Sequence, residues 1–261
     1  MSELIVITSG KGGVGKTTVA CFLGAKLAEK GKRVVVCDLD FGLNNLDIVM
    51  GMENKVLYDL SDALEGRCRA SQILIRSPYV KNLYLISSIH TSNKNCNGKN
   101  IRNLFEGLKN SFDYVIFDCP AGIETGFHRA VITSDSGFVV VTPSLSSIRD
   151  ADKVLGLLRS YNLKRIGIIV NMARGDLMID GHMMGIKEIE DLLKTNVIGV
   201  IPQDDKLLLS TNCYLEDDCV SGRAFIKLAI SVISGNSKYI DPQKKYSGFV
   251  GSIKRSIKKI I

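Results

Sequence analysis

The sequence predicts a single α/β domain, a mostly parallel sheet with helices on both faces. Three observations carry this. Short apolar runs without polar alternation recur along the chain, as in strands covered on both sides. Helical spacing fills most intervals between them, the order that βαβ units require. A glycine-rich turn also follows the first run and opens directly into the first helix.

That first run is Leu4-Ile5-Val6-Ile7, and the turn is Gly10-Lys11-Gly12-Gly13-Val14-Gly15-Lys16-Thr17-Thr18. Val19, Phe22, Leu23 and Leu27 then recur at helical spacing, so the helix opens at the last glycine. Strand, turn and helix together are the context in which G-x-x-x-x-G-K-[ST] marks a phosphate site, the P-loop of nucleotide triphosphatases. Residues without side chains let successive backbone N–H groups turn inward around an anion, and the helix N-terminus adds positive potential. Lys16 would reach the β- and γ-phosphates, and the Thr17 hydroxyl would ligate Mg²⁺. A ligand-free turn would leave the lysine, the threonine and both flanking elements unexplained.

The second strand is expected over Arg33–Asp38, with Asp38 and Asp40 at its C-terminal end, where ligands bind in open α/β sheets. Residues 53–75 read as short helices and connections, Leu83–Ile86 as a third strand, His90–Gly98 as a polar loop and Ile101–Leu108 as an amphipathic helix. Asp113–Asp118 is an apolar run ending in acid, broken by Cys119-Pro120-Ala121-Gly122. Downstream of a P-loop this is the Walker B arrangement, with Asp118 in reach of a phosphate-bound Mg²⁺. Two more strands follow, Gly137–Thr142 and Ile166–Val170, with a helix over Asp150–Tyr161 between them and Asn171 directly after the second. A helix over 183–194, a strand Val197–Ile201, the triplet Pro202-Gln203-Asp204 and a helix over 221–234 complete a domain set at 1–235. Residues 236–247 are polar with Pro, and read as a flexible linker.

At 261 residues and 45% hydrophobic the chain suits one well-packed domain. No apolar run approaches the roughly 18–20 residues that span a bilayer. The first strand begins almost at once, which leaves no room for a signal or transit peptide. A cytoplasm, or a plastid stroma, is the expected compartment. The seven cysteines are dispersed without a C-x-x-C pair and are expected to be reduced. The net charge is +7, but six cations and no acid follow residue 243, so residues 1–243 carry only +1. No specific nucleic-acid partner is expected of so neutral a domain.

The basic excess lies in the tail, 248–261. On a helical wheel Phe249, Val250, Ile253, Ile257, Ile260 and Ile261 share one arc of roughly 120°, and Lys254, Arg255, Lys258 and Lys259 take most of the rest. Such a segment lies in a membrane interface, apolar face down and cations among anionic headgroups. Packing on the domain and a solvated end remain the competing readings. One tail would bind weakly, because a short helix is marginal in water. Two tails on a dimer would bind far better through effective concentration.

Lys11 completes K-G-G-V-G-K-T, and here the sequence resembles the deviant Walker A ATPases. That family holds the MinD division-site proteins, ParA-type plasmid-partition ATPases and the nitrogenase iron protein. The likeness runs from residue 1 to about 204 and resumes in the tail; Asp38–Asp47, Asp118–Glu124 and the amphipathic end draw it towards the septum-positioning branch. The resemblance implies that Lys11 crosses a dimer interface to the partner's nucleotide, joining Lys16 and Asp40 as the catalytic set. It implies that Asp38 lies near the metal with Thr17 and Asp118, and Asp40 near the attacking water, although a turn or cap role for Asp40 stays open. Cys119–Gly122 would be a second switch. Asn171 and Pro202-Gln203-Asp204 would read adenine; Asn171-Met172-Ala173-Arg174 lacks the aspartate of the guanine-reading pattern, so ATP is expected over GTP.

The implied activity is slow, activator-stimulated ATP hydrolysis with Mg²⁺, in an ATP-dependent homodimer peripheral on the inner face of an anionic membrane. The implied partners are a MinC-like division inhibitor and a MinE-like or other activator. Two features depart from the family: Asn44 stands where arginine is usual, and the Gly175–Gly185 loop looks long. A partition ATPase, a flagellar-number regulator of similar fold and an iron–sulfur carrier are the rivals. The first needs basic residues spread over the folded domain, and the last needs paired cysteines that the chain lacks.

Overall fold

β1 (Glu3–Thr8), β2 (Val34–Asp38), β3 (Ile75–Arg76), β4 (Leu83–Ile86), β5 (Tyr114–Asp118), β6 (Ser136–Val141), β7 (Arg165–Ala173) and β8 (Val197–Pro202) form one sheet in the computed structural model. The structure describes residues 2–40, 45–87, 96–210, 212–248 and 251–252. The strand order is β3-β4-β2-β5-β1-β6-β7-β8, parallel throughout except for the β3–β4 pair at one edge. The helices are α1 (Lys16–Glu29), α2 (Leu46–Val49), α3 (Leu60–Leu64), α4 (Gly98–Leu108), α5 (Thr125–Thr133), α6 (Leu145–Ser160), α7 (Gly175–Ile179), α8 (Ile186–Leu193), α9 (Asp205–Leu209) and α10 (Val220–Ser234).

Continuous apolar strands are explained by two cores. Ile5 and Ile7 of β1 face one side with Phe22 and Leu23 of α1 and Phe225 of α10. Leu4 and Val6, one residue out of phase, face the other side with Phe105 of α4, Phe127 of α5 and Leu155 of α6. Both faces of each inner strand are buried, so polar alternation has no place in it.

Several expectations are corrected. α5 fills a stretch, just after the expected switch at Cys119–Gly122, to which the sequence reading assigns no element; Gly126 and the threonines weaken its helical signal, and burial of Phe127, Ala130 and Val131 makes it. β3 is too short to show a period. α6 begins at Leu145, five residues before the expected start. β7 continues through Asn171 instead of ending before it, and Met172, at φ 55°, marks an irregularity in its pairing with β8. The Gly175–Gly185 loop contains α7.

The stretch expected as a flexible linker is laid against the domain. Lys238 N donates to Ser231 Oγ (2.7 Å), which donates back to Lys238 O (3.0 Å). Pro242 is buried and a 3₁₀ turn spans Lys244–Tyr246. Phe249, Val250 and Ile253–Ile261 lie outside the described residues, as do Phe41–Asn44 and most of the 90–98 loop.

One buried cation ties the post-α9 chain to α1. Lys26, 2% exposed, donates to Asp217 Oδ1 (2.6 Å), Glu29 Oε2 (2.8 Å) and Leu215 O (2.7 Å). Burial alone would lower its pKa, but the bonds to Asp217 and Glu29 raise it. The folded pKa therefore lies above the unfolded one, and this stabilisation is present below about pH 10.4 and lost as pH rises further. Lys26→Met is expected to cost about 2–3 kcal/mol at pH 7. Urea melts should show that gap narrowing at pH 11.

Candidate nucleotide site

The C-terminal ends of three adjacent strands make the site. β1 lies between β5 and β6, and β2 pairs with the far side of β5. The turn after β1 thus opens beside the acidic ends of β5 and β2. Its backbone demands glycine twice over. Gly15 caps α1 at φ 87°, and a Cβ there would lie 2.4 Å from Asn171 Nδ2. A Cβ on Gly10 would lie 2.4 Å from the Asp150 carbonyl. The turn is clamped from β7, where Asn171 Nδ2 donates to Val14 O (2.8 Å), and from within, where Ser9 Oγ donates to Lys11 O (2.7 Å). The 14-residue α1 then presents an N-terminus without an acid in its first turn, a ready anion site.

Asp38 pairs in register with Asp118, and Ile7 with Asp118 on the other side. Burial foremost, and then the neighbouring Asp118 charge, push the Asp38 carboxyl up to about 8, against backbone N–H bonds from Asp40 and Leu46. Burial likewise pushes Asp118 up to about 6, although a hydrogen bond with Thr17 and the Lys16 charge pull it down. Asp118 Oδ1 is fully buried with no hydrogen-bond partner among the described residues. Two crowded carboxylates, one orphaned oxygen and a hydroxyl beside it form a donor set short of a cation, which a hard, oxygen-seeking ion such as Mg²⁺ fits. Asp40 sits at the mouth; burial raises its pKa and the Lys16 charge opposes the rise. Its backbone N–H bonds Asp38 Oδ1 (2.8 Å), so it also shapes the turn.

Gly122 N donates to Ser9 O (2.9 Å), which joins the turn after β5 to the glycine loop. Cys119 is buried beside it, its thiol pushed up by burial, and behaves as a small hydrophobe and not as an exposed thiolate ligand. Lys11 is exposed, with Nζ 3.4 Å from Ser146 Oγ at the start of α6.

Beyond Gly15 and Thr18 lies a cavity of about 490 Å³, reached by Asn171, Pro202, Gln203 and Asp204. The expected base-reading residues are brought together, but two are committed elsewhere. The Asn171 amide nitrogen is spent on the loop. The Asp204 carboxylate accepts from Ser221 N (3.0 Å) and Ser221 Oγ (2.7 Å) and caps α9. Its partial burial is outweighed by those bonds, which lower its pKa. The sequence reading missed Phe22, Met172, His182 and Met183, which make the apolar wall. The last two arrive because Met184 N bonds Pro143 O (3.2 Å), folding 180–185 back over the cavity. The length of the Gly175–Gly185 loop was their only signal.

Residues 5–212 match the family described as the CobQ/CobB/MinD/ParA nucleotide binding domain. The septum site-determining protein MinD of Synechocystis sp. is 38% identical over 263 residues, 98% of this chain and 99% of the relative. Among solved structures, the MinC:MinD cell division complex of Aquifex aeolicus aligns with a TM-score of 0.83 at 39% identity, over 89% of this chain and 96% of that one. The septum site-determining protein MinD from Pyrococcus horikoshii, complexed with Mg-ADP, aligns with a TM-score of 0.78 at 26% identity, over 90% and 98%.

Proposed function

Because this chain belongs to the MinD group of the CobQ/CobB/MinD/ParA nucleotide-binding family, we propose that it is an ATP-hydrolysing switch that positions the division septum by recruiting a MinC-like inhibitor. The carrying observation is the orphaned Asp118 Oδ1 beside Thr17 at the mouth of the glycine loop. The loop amides and Lys16 hold the β- and γ-phosphates, as adenine enters the cavity past Gly15. Thr17, Asp118 and Asp38 would hold Mg²⁺, and the ion would supply neutralisation of charge developing on the phosphates. Asp40 orients a water whose oxygen bonds to the γ-phosphorus. The bond to the β–γ bridging oxygen breaks, the proton lost by the water passes to Asp40 and on to solvent, and ADP and phosphate leave.

Lys11 serves the partner's nucleotide in an ATP-dependent dimer; its exposure supports this reading. Turnover is slow until a MinE-like or other activator engages the dimer. The tail gives the dimer its membrane address, on the inner face of an anionic bilayer, each cation adding about 1 kcal/mol near the surface. The near-neutral charge of residues 1–243 disfavours the partition-ATPase reading.

Co-sedimentation with anionic liposomes tests the switch. The intact chain should pellet with ATP and not with ADP, whereas a chain ending at Ser247, or Ile257→Glu, should stay in the supernatant with its liposome-free hydrolysis unchanged. Equal pelleting of the ATP and ADP forms would sink the switch. Pelleting of the shortened chain would sink the tail assignment.

A further inference from the structure

We infer that the Gly175–Gly185 stretch couples the base-side cavity to the docked 236–247 segment, so that a filled site and a docked segment favour each other. The inference rests on the nucleotide reading above and assigns that site a second output.

The stretch touches both places. At its start, a Cβ on Gly175 would lie 2.0 Å from Pro242 O and 2.4 Å from the Pro242 carbonyl carbon, so the segment's backbone rests directly on that glycine. Asp241 Oδ1 accepts from Gln243 N (2.9 Å) and shapes the following turn. At its other end, His182 and Met183 wall the cavity that Gly15 and Thr18 enter, both amides being tied to Leu177 O (2.9 and 3.1 Å). Between the two ends runs α7, its Met178 buried and Met178 N bonded to Arg174 O (3.0 Å). A second cavity, of about 310 Å³, lies under the segment and shares Pro202 and Gln203 with the first.

A base filling an apolar wall fixes His182 and Met183 in contact with it. Since α7 is a single bonded turn, fixing one end fixes Gly175 at the other. The ordering is needed once and serves both contacts, which is positive coupling without a large displacement. Adenine is common to ATP and ADP, so this link senses loaded against empty. The γ-phosphate is left to Lys11 and the turn after β5. Reciprocity then requires that holding the segment in place tighten nucleotide binding by the same factor.

Backbone amide hydrogen exchange over residues 238–247 of the intact chain, with and without saturating Mg-ADP, reads the link without any membrane. Mg-ADP should slow that exchange about fivefold, at the low end of usual coupling factors. Gly175→Ala should leave the segment fast-exchanging and unresponsive to Mg-ADP, with Mg-ADP affinity lower by the same factor. If circular dichroism shows that Gly175→Ala does not fold, Asp241→Ala, which removes the cap on Gln243 and leaves α7 intact, is expected to behave alike. Bound Mg-ADP with unchanged exchange over 238–247 in the unaltered chain would overturn the coupling alone. Failure to bind Mg-ADP at all would overturn the nucleotide reading, and the coupling with it.

Discussion

Asp118→Asn is expected to lower Mg²⁺-dependent ATP hydrolysis by on the order of 10²–10³-fold, as loss of one preorganised charge contact does, and to make the nucleotide-free chain more stable at neutral pH. The two effects share a cause. Burial pushes the Asp38 and Asp118 carboxyls up to about 8 and about 6, well above the usual carboxylate range. The folded chain therefore keeps protons at pH values where the unfolded chain has lost them. Stability contributed by this pair falls as pH rises from about 4, and the fall ends near pH 8. Each pKa unit corresponds to roughly 1.4 kcal/mol, so even a fraction of the shift is measurable. Thermal melts without nucleotide should show the unaltered chain losing stability between pH 5 and pH 8, the variant losing less, and saturating Mg-ATP removing most of the difference. A variant with full activity, or an unaltered chain whose stability rises over that range, would refute the assignment of the pair.

Lys11→Ala carries the second large effect. The side chain is exposed and its bond to Ser146 Oγ is 3.4 Å long, so the substitution should move stability by less than about 0.5 kcal/mol. Mg-ADP should still bind. Hydrolysis should nevertheless fall by about 10³-fold, the scale of a charged group supplied in trans to a leaving phosphate, and light scattering should show no ATP-driven dimer. Lys16→Ala differs in kind, since it should remove nucleotide binding itself. Retention of the dimer and of hydrolysis in Lys11→Ala would place Lys11 outside the partner's site.

The residues that speak most clearly in the sequence are those whose chemistry is local. In the Gly10–Thr18 loop, approaches at 2.4 Å, from the Asp150 carbonyl to Gly10 and from Asn171 Nδ2 to Gly15, leave no room for a Cβ at either glycine. Asp118 is legible because an apolar run ending in acid, a weak signal alone, gains meaning downstream of such a loop. Asp38 could be placed at a strand end, but its pairing with Asp118 depends on β5 inserting between β1 and β2, and no local pattern encodes that order. His182 and Met183 reach the cavity through one backbone bond from Met184 to Pro143, forty-one positions away in the chain. The docking of 236–247 was hidden for a related reason. Pro and Lys there read as a tether, whereas the contact is made by a glycine, Gly175, whose partner is backbone.

The central position of β1 also governs how the protein is made. Its partners are residues 114–118 and 136–139, so β1 is completed only after more than a hundred further residues have been made. At about 5–20 residues per second, Leu4–Ile7 waits roughly 6–26 s as an incompletely paired apolar ribbon, with the phosphate loop hanging from it. Sheets with such distant pairings fold slowly and are exposed to aggregation meanwhile. Nucleotide offers no protection for most of that interval, because Asp118, which completes the acidic pair with Asp38, is not made until β5.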